Sequence, residues 1–230
     1  MTKAEKTKEI IKRLSKVYPN PKIALKFRNP YELLIATILS AQATDVSVNL
    51  ATPALFKKYP KPEDLAKAPI PEIDTFINKI NFHSNKAKMI KGAAQMVVDK
   101  FHGKVPENME DLDSLPGVAR KTANVVLGSA FHKSEGIVVD THVIRLTNKL
   151  GLTTSKDPVK IEKDLMKIVP KSEWITFPLM LILHGREMCT ARPHTCENCP
   201  LGNLCPDAPA NTSEVDFKVT LDHTSEVGDN

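Results

Sequence analysis

The chain has 230 residues, of which 41% are hydrophobic, so it can bury a substantial core as one large domain or two smaller ones. No apolar run approaches the roughly 18 residues of a membrane-spanning helix, and no membrane association is expected. Six acidic residues against Lys218 alone give residues 207–230 a charge of −5, which leaves +10 on residues 1–206 within a net charge of +5. The basic part suits a nucleic acid partner, with a merely soluble basic surface as the alternative that charge leaves open. Residues 207–230 are expected to form an acidic mobile tail.

Helical periodicity dominates the chain, and proline and glycine punctuate it. Asn29-Pro30 is an N-cap followed by a first-turn proline, Thr44 and Ser84 are predicted N-caps, and Pro178 is predicted to kink a helix or mark its start. Apart from residues 137–139, nothing suggests an extended strand, so the predicted fold class is all-α. In chain order, the predicted helices cover residues 10–18, 31–40, 44–59, 84–102, 118–131, 141–150, a segment from 158 onward, and 172–187.

The only four cysteines, Cys189, Cys196, Cys199 and Cys205, are spaced C-x6-C-x2-C-x5-C. Disulfides are disfavoured, because the first thirty residues do not resemble a signal peptide and the chain is expected to stay in a reducing cytoplasm. Four thiolates this close can hold a structural zinc ion or an iron–sulfur cluster. The spacing alone does not separate these two possibilities.

A second motif, L-P-G-V-A-R-K-T-A, covers residues 115–123. Its proline and glycine predict a tight turn, with a helix starting near Val118 or Ala119. The free N–H groups at such a helix start can bind a phosphate, which anchors a DNA backbone without reading its sequence. An ordinary turn between two packed helices is the alternative.

Together, this motif with its lysine, the segment V-D-T-H at residues 139–142 and the four-cysteine spacing resemble the endonuclease III family of DNA repair glycosylases. The resemblance covers about residues 8–206 and implies a two-lobed helix-hairpin-helix glycosylase fold, with DNA bound between the lobes. One lobe would be a six-helix barrel over residues 22–134, with the hairpin motif at about 108–130. The other would be an iron–sulfur cluster lobe made of residues 1–21 and 135–206, with the cluster loop at 189–205.

The resemblance also implies a [4Fe–4S] cluster on the four cysteines, acting as a scaffold, and assigns two catalytic residues. An amine such as that of Lys121 can attack C1′ of a nucleotide, displace the damaged base and form a Schiff base, after which β-elimination cuts the strand 3′ to the lesion. Asp140 is expected to stabilise the oxocarbenium-like sugar and to shuttle a proton. Asp140 also suits the role of N-cap for the following helix, and both roles are compatible.

Gln42 and Phe82 are the residues that the resemblance assigns to filling the gap left by a flipped nucleotide. Phe82 stands where relatives often have leucine, and His83 where tyrosine is frequent, so lesion preference can differ. An ordinary polar residue at Gln42 and a core position for Phe82 are the alternatives.

Ala119 replaces a second hairpin glycine that is common in the family, so its methyl group is expected to hold the phosphate farther away. Further DNA contacts are expected from Gly117, Val118, Ala119, Arg120, Thr122, His142, Arg186 and Arg192, with His194 adding positive charge beside the cysteines.

The resulting prediction is a bifunctional DNA N-glycosylase and abasic-site lyase that removes oxidised or ring-saturated pyrimidines in base excision repair. Its expected partner is double-stranded DNA with damaged pyrimidines or abasic sites, bound by a cytoplasmic monomer that acts on chromosomal DNA. An adenine-mismatch glycosylase is one alternative, but that branch usually lacks a lysine at the position of Lys121. A non-catalytic DNA-binding or redox-sensing iron–sulfur module is the other, and the presence of both Lys121 and Asp140 argues against it.

Overall fold

The computed structural model describes residues 1–192 and 196–208, and its regular secondary structure within them is entirely helical. The predicted all-α class is therefore confirmed. Among the described residues, no helix is long and apolar enough to cross a membrane. His194 and all but the first two residues of the predicted tail lie outside the described ranges. The helices are α1 Lys3–Val17, α2 Pro30–Ser40, α3 Asp45–Lys58, α4 Pro62–Lys67, α5 Ile70–Ile77, α6 His83–Phe101, α7 Met109–Asp113, α8 Arg120–Phe131, α9 Thr141–Lys149, α10 Pro158–Ile168 and α11 Thr176–Glu187.

The chain divides into two compact units. Residues 22–138, which contain α2 to α8, form the hairpin unit. Residues 1–21 and the described residues from 139 onward, which contain α1 and α9 to α11, form the cysteine unit. The division falls at residue 138, within the segment after α8, rather than at residue 134.

Helix α2 is the centre of the hairpin unit. Asn29 caps it by accepting a hydrogen bond from the N–H of Glu32 (3.0 Å), and Pro30 occupies its first turn. Residues 31–39 are all buried, because α2 packs against α3, α6 and α8. Each of its fully buried leucine and isoleucine side chains contributes about 1.5–3 kcal/mol of hydrophobic stabilisation.

Several helix boundaries differ from the sequence-based ones. The prediction that Ser84 caps α6 is wrong, since the helix begins at His83 and its N-cap is Phe82. Helix α8 begins at Arg120, two residues later than predicted, with Ala119 as its N-cap. Pro178 lies in the first turn of α11, so it marks the start of that helix.

The short helices α4 and α5 were not predicted. They have six and eight residues, and each has a proline at one of its first two positions. A proline fits there because the first turn of a helix needs no N–H donor within the helix. Sequence reading that treats proline mainly as a helix breaker therefore misses such helices.

The cysteine unit begins with a capped helix and is held together by close helix packing. Thr2 and Glu5 form a reciprocal capping box at the start of α1, which packs against α10 and α11. Helix α9 also packs against α11, and Gly185 of α11 lies close to His142 and Arg145 of α9. A Cβ atom added there would lie 2.8 Å from Nδ1 of His142, so a side chain at Gly185 would have to displace the His142 ring.

Candidate functional site

The turn between α7 and α8 is a tight hairpin that requires glycine. The N–H of Val118 donates to the carbonyl of Leu115 (3.1 Å), and Gly117 has a left-handed φ of 77°. A Cβ atom at Gly117 would lie 3.0 Å from Cγ2 of Ile38 and 3.1 Å from Cβ of Met89. The turn therefore lies directly against the last turn of α2 and the N-terminal half of α6.

The N-terminus of α8 carries the predicted reactive lysine. Ala119, in extended conformation, is the N-cap and offers no side-chain acceptor to the first-turn N–H groups. Arg120 and Lys121 are exposed, and Thr122 is half-buried. Exposed N–H groups at a helix N-terminus form a favourable site for a phosphate. The hairpin thus presents both a phosphate-binding geometry and an accessible amine.

Two loops with strained residues adjoin α2 and α6, the two helices that the hairpin turn contacts. Gln42 follows α2 and is exposed with a φ of 53°, while Phe82 precedes α6 with a φ of 60° and 64% of its surface exposed. A positive φ is uncommon for residues other than glycine and occurs often at functional sites. The side-chain amide of Asn81 donates to the carbonyl of Gln42 (3.2 Å), so the loops are in direct contact. The exposure of Phe82 also rules out the alternative that it is a core residue.

His83 is less available than its neighbour Phe82. Its Nδ1 lies 2.6 Å from Oδ1 of Asp74 and 3.3 Å from the hydroxyl of Ser84. These contacts orient the half-buried ring, so a DNA contact by His83 would have to use the other edge of the ring.

In the cysteine unit, the four predicted ligands share one cavity. Cys189, Cys196, Cys199 and Cys205 all line a small cavity that opens in part to solvent. Burial raises the pKa of the Cys199 thiol to about 11, and it also raises that of Cys189. Within the described ranges, no three histidine, cysteine or acidic residues converge as ligands for a metal ion. The other residues lining the cavity include the apolar side chains Leu146, Leu150, Met188 and Leu201.

Three residues that the sequence reading did not single out hold this cysteine loop. Nε2 of buried His184 lies 3.6 Å from the sulfur of Cys199, and its ring packs edge-on against Tyr18. Arg145 donates to the backbone carbonyls of Cys189 and Gly185. Arg13 in α1 donates to the carbonyl of Pro200 (3.0 Å) and to the side chain of Asn203 (2.6 Å). Sequence spacing gives no signal for contacts between residues so far apart in the chain.

Asp140 and His142 occupy the start of α9. Oδ1 of Asp140 accepts a hydrogen bond from the N–H of Val143 (2.8 Å), which confirms its predicted role as N-cap. This bond fixes the carboxylate and leaves Oδ2 for other contacts. Nδ1 of His142 lies 3.2 Å from the guanidinium of Arg145, so His142 joins the contacts that support the cysteine loop. Arg186 and Arg192 are exposed near the cysteines.

Comparison with known proteins decides the family. Residues 35–171 match the HhH-GPD superfamily base excision DNA repair protein family. Endonuclease III of Synechocystis sp. is 49% identical over 210 residues, covering 91% of this chain and 96% of that protein. Endonuclease III of Escherichia coli (strain K12) is 40% identical over 205 residues, covering 89% and 96%. The chain belongs to the endonuclease III family.

Solved structures of the family agree with this assignment. A trapped endonuclease III–DNA covalent intermediate and a non-covalent endonuclease III–DNA complex each match with a TM-score of 0.83 and 42% identity, covering 90% of this chain and 96% of that one. A thermostable thymine-DNA glycosylase matches with a TM-score of 0.78 and 26% identity over 88% of this chain and 96% of that one. The predicted fold and the predicted class, a base excision repair DNA glycosylase and lyase, are confirmed. Neither the adenine-mismatch nor the non-catalytic alternative is favoured.

Proposed function

We propose that the protein is a bifunctional DNA N-glycosylase and abasic-site lyase that excises oxidised or ring-saturated pyrimidines from duplex DNA, with Lys121 as the nucleophile. One observation carries the proposal. Lys121 is exposed in the first turn of the hairpin helix α8, in a chain 42% identical to an endonuclease III solved as a trapped covalent intermediate with DNA. A covalent intermediate requires a nucleophile, and an accessible amine beside a phosphate-binding turn can supply it.

The chemistry follows from the amine. The lone pair of Lys121 Nζ forms a bond to C1′, and the C1′–N bond breaks, its electron pair leaving with the base, which takes up a proton. The C1′–O4′ bond then opens as a C1′=N bond forms, its electron pair goes to O4′, and O4′ takes up the proton that Nζ loses, which leaves an open-chain sugar joined to Lys121 as an imine. Removal of a C2′ proton then breaks the C3′–O bond, and the 3′ phosphate leaves with the electron pair. The strand is cut on the 3′ side of the lesion, and water releases the lysine.

Asp140 is proposed to assist at the sugar. Its carboxylate is held by the N–H of Val143 at the N-cap of α9. A fixed negative charge stabilises a sugar carbon that becomes positive as the base leaves, and a carboxylate can shuttle a proton.

Gln42 and Phe82 are proposed to replace the flipped nucleotide in the stack. Both are exposed on adjoining loops of the hairpin unit. Removing a nucleotide from a duplex leaves a gap whose filling offsets part of the lost stacking energy. The hairpin N–H groups together with Arg120 and Thr122 are proposed to hold the backbone phosphates, with His142, Arg186 and Arg192 adding contacts from the cysteine unit.

The four cysteines are proposed to hold a [4Fe–4S] cluster. Four thiols around one cavity, bounded by apolar side chains and tied to the protein by Arg13 and Arg145, fit such a group. When bound, the cluster would cross-link a loop with little apolar content of its own. Metal analysis of anaerobically purified protein tests this, with about four iron atoms per chain expected. If the analysis instead finds a single zinc ion per chain, the four cysteines form a structural zinc site and not a cluster site.

The enzyme is proposed to act as a monomer on chromosomal DNA in the cytoplasm. A net charge of +10 on residues 1–206 supports a polyanion partner, because it attracts the phosphate backbone along the whole duplex.

Borohydride trapping tests the catalytic proposal. The substrate is a duplex with a single thymine glycol, and the variants are Lys121→Gln and Lys133→Gln. Lys133 is a matched control, since it is an exposed lysine just beyond the other end of α8, paired with Glu107 (2.7 Å). We expect a covalent adduct and a strand break with wild type and Lys133→Gln, and neither with Lys121→Gln. An adduct formed equally by all three proteins would exclude Lys121 as the nucleophile.

A further inference from the structure

The C-terminus of α2 obtains one of its hydrogen bonds from a distant lysine. The last four carbonyls of a helix have no partner within the helix and must find one elsewhere. Those of Thr37, Ile38 and Ser40 accept from the hydroxyl of Ser40 and from the N–H groups of Ala41 and Ala43. The carbonyl of Leu39 accepts from Nζ of Lys86 at 2.8 Å.

Lys86 bonds to the residue before α6 and to the last turn of α2, at or near each of the two strained residues. Its backbone N–H donates to the carbonyl of Phe82 (3.1 Å), which closes the first turn of α6, while its Nζ reaches the end of α2 that leads into Gln42. The contact of Asn81 with Gln42 is a second link between the same loops. Lys86 therefore connects the end of α2 with the start of α6.

The amine of Lys86 is enclosed. The residue is only 4% exposed, and burial lowers its pKa. A lysine with a lowered pKa is often a nucleophile. Here, however, the amine is directed at a backbone carbonyl inside the hairpin unit, where a nucleotide has no access. A position at a helix C-terminus favours a cationic donor, since the helix dipole is negative there. The geometry thus favours a positioning role over a catalytic one.

We propose that Lys86 is a positioning residue that holds the loop 41–43 and the loop 81–83 as one body, so that Gln42 and Phe82 enter the DNA stack together. This inference rests on the proposed function, in which those two side chains fill the gap. Two separate flexible loops would each lose conformational freedom on binding, whereas a joined pair is already ordered. Both side chains start from a left-handed backbone conformation that needs support from its surroundings.

The test compares Lys86→Met with Lys91→Met. Methionine keeps most of the apolar stem and removes the donor. Lys91 is a matched control on the same helix, since its Nζ donates to the carbonyl of Ala68 at 2.8 Å, just after the end of α4 and away from both loops. Asn81→Ala is a second variant, which removes the other link at an exposed position and so should not affect folding.

Two readouts separate positioning from chemistry. Amide hydrogen exchange at residues 41–43 and 81–83 should become faster in Lys86→Met and Asn81→Ala and stay unchanged in Lys91→Met. Single-turnover base release from a thymine glycol duplex should fall about tenfold or more in Lys86→Met, and less in Asn81→Ala. Trapping on an abasic site in single-stranded DNA should change by less than about twofold, because no gap has to be filled.

The outcomes are distinct. Unchanged exchange at both loops together with duplex rates equal to those of Lys91→Met would overturn the proposal. Equal losses on duplex and single-stranded DNA in a folded Lys86→Met protein would also overturn it, since the residue would then act in the chemistry. If wild type forms no Schiff base at all, the proposed function fails, whereas the exchange measurement still decides whether Lys86 joins the loops.

Discussion

Gly117 and Ile38 are in such close contact that a methyl group on the glycine would lie 3.0 Å from the isoleucine Cγ2. Gly117 also has a backbone φ of 77°, which residues other than glycine rarely adopt. We predict that Gly117→Ala destabilises the protein through both strain and overlap, by about 2–4 kcal/mol in urea unfolding. Affinity for duplex DNA should fall with it, because the same turn orients the first N–H groups of α8.

Gly151→Ala is the matched control for this prediction. Gly151 has a φ of 67°, but the atom nearest to an added Cβ is 3.9 Å away, on Pro206. We expect a cost of about 1 kcal/mol from backbone strain alone, with duplex affinity unchanged. Equal destabilisation by the two substitutions would mean that packing against Ile38 does not restrict the hairpin.

The sequence predicts local features of this fold well, because they depend on neighbouring residues. Asn29, Thr44 and Asp140 are N-caps as predicted, since each places a side-chain oxygen beside an N–H group two or three residues ahead. The N-cap of α6 at Phe82 was not predicted, because its left-handed conformation follows from tertiary contacts and not from local propensity.

The candidate site likewise contains residues that the sequence points to and residues that only the structure reveals. The family resemblance pointed to Lys121, and the cysteine spacing pointed to a metal or cluster site. Neither could identify Arg13 and His184, whose partners are far away in the chain. Lys86 did leave a signal, since it falls on the buried stripe of α6 with Ile90, Ala94 and Val97. A lysine in line with apolar residues at helical spacing indicates a buried cation with a specific acceptor.

Arg13 links the first helix of the chain to the cysteine loop. Its guanidinium binds Pro200 and Asn203 and lies 2.8 Å from Glu9. We predict that Arg13→Met lowers the free energy of unfolding by about 1–3 kcal/mol and speeds the loss of iron from the proposed cluster to a chelator. Lys12→Met, at an exposed neighbouring position, should change stability by less than about 0.5 kcal/mol. If both variants release iron at the wild-type rate, the link does not stabilise the loop.

Alkaline pH should weaken the protein through its buried tyrosines. Burial raises the pKa of Tyr31, whose hydroxyl donates to the carbonyl of Tyr59 (3.2 Å). At pH values where Tyr31 of the unfolded chain loses its proton, Tyr31 of the folded protein therefore keeps it. Its stabilising contribution is fully present below a pH of about 10 and is lost above it, by up to about 1.4 kcal/mol per pH unit.

Tyr31→Phe isolates this effect. The variant should be less stable at neutral pH by about 1 kcal/mol, the usual value of a lost hydrogen bond. The difference in unfolding free energy between wild type and Tyr31→Phe should narrow as the pH rises from about 9 to about 11, because phenylalanine does not titrate. The comparison is necessary because Lys86, whose pKa is lowered, gives the opposite slope in this range. A stability difference that stays constant with pH would show that Tyr31 ionises equally in the folded and unfolded states.

We expect the amine of Lys121 to become covalently attached to the sugar. The most direct test is peptide mass spectrometry of the borohydride-reduced adduct between the wild-type protein and a thymine glycol duplex. We predict that the deoxyribose remnant is found on Lys121, in the first turn of α8. A remnant on any other amine, or an enzyme that releases the base and forms no reducible adduct, would contradict the account.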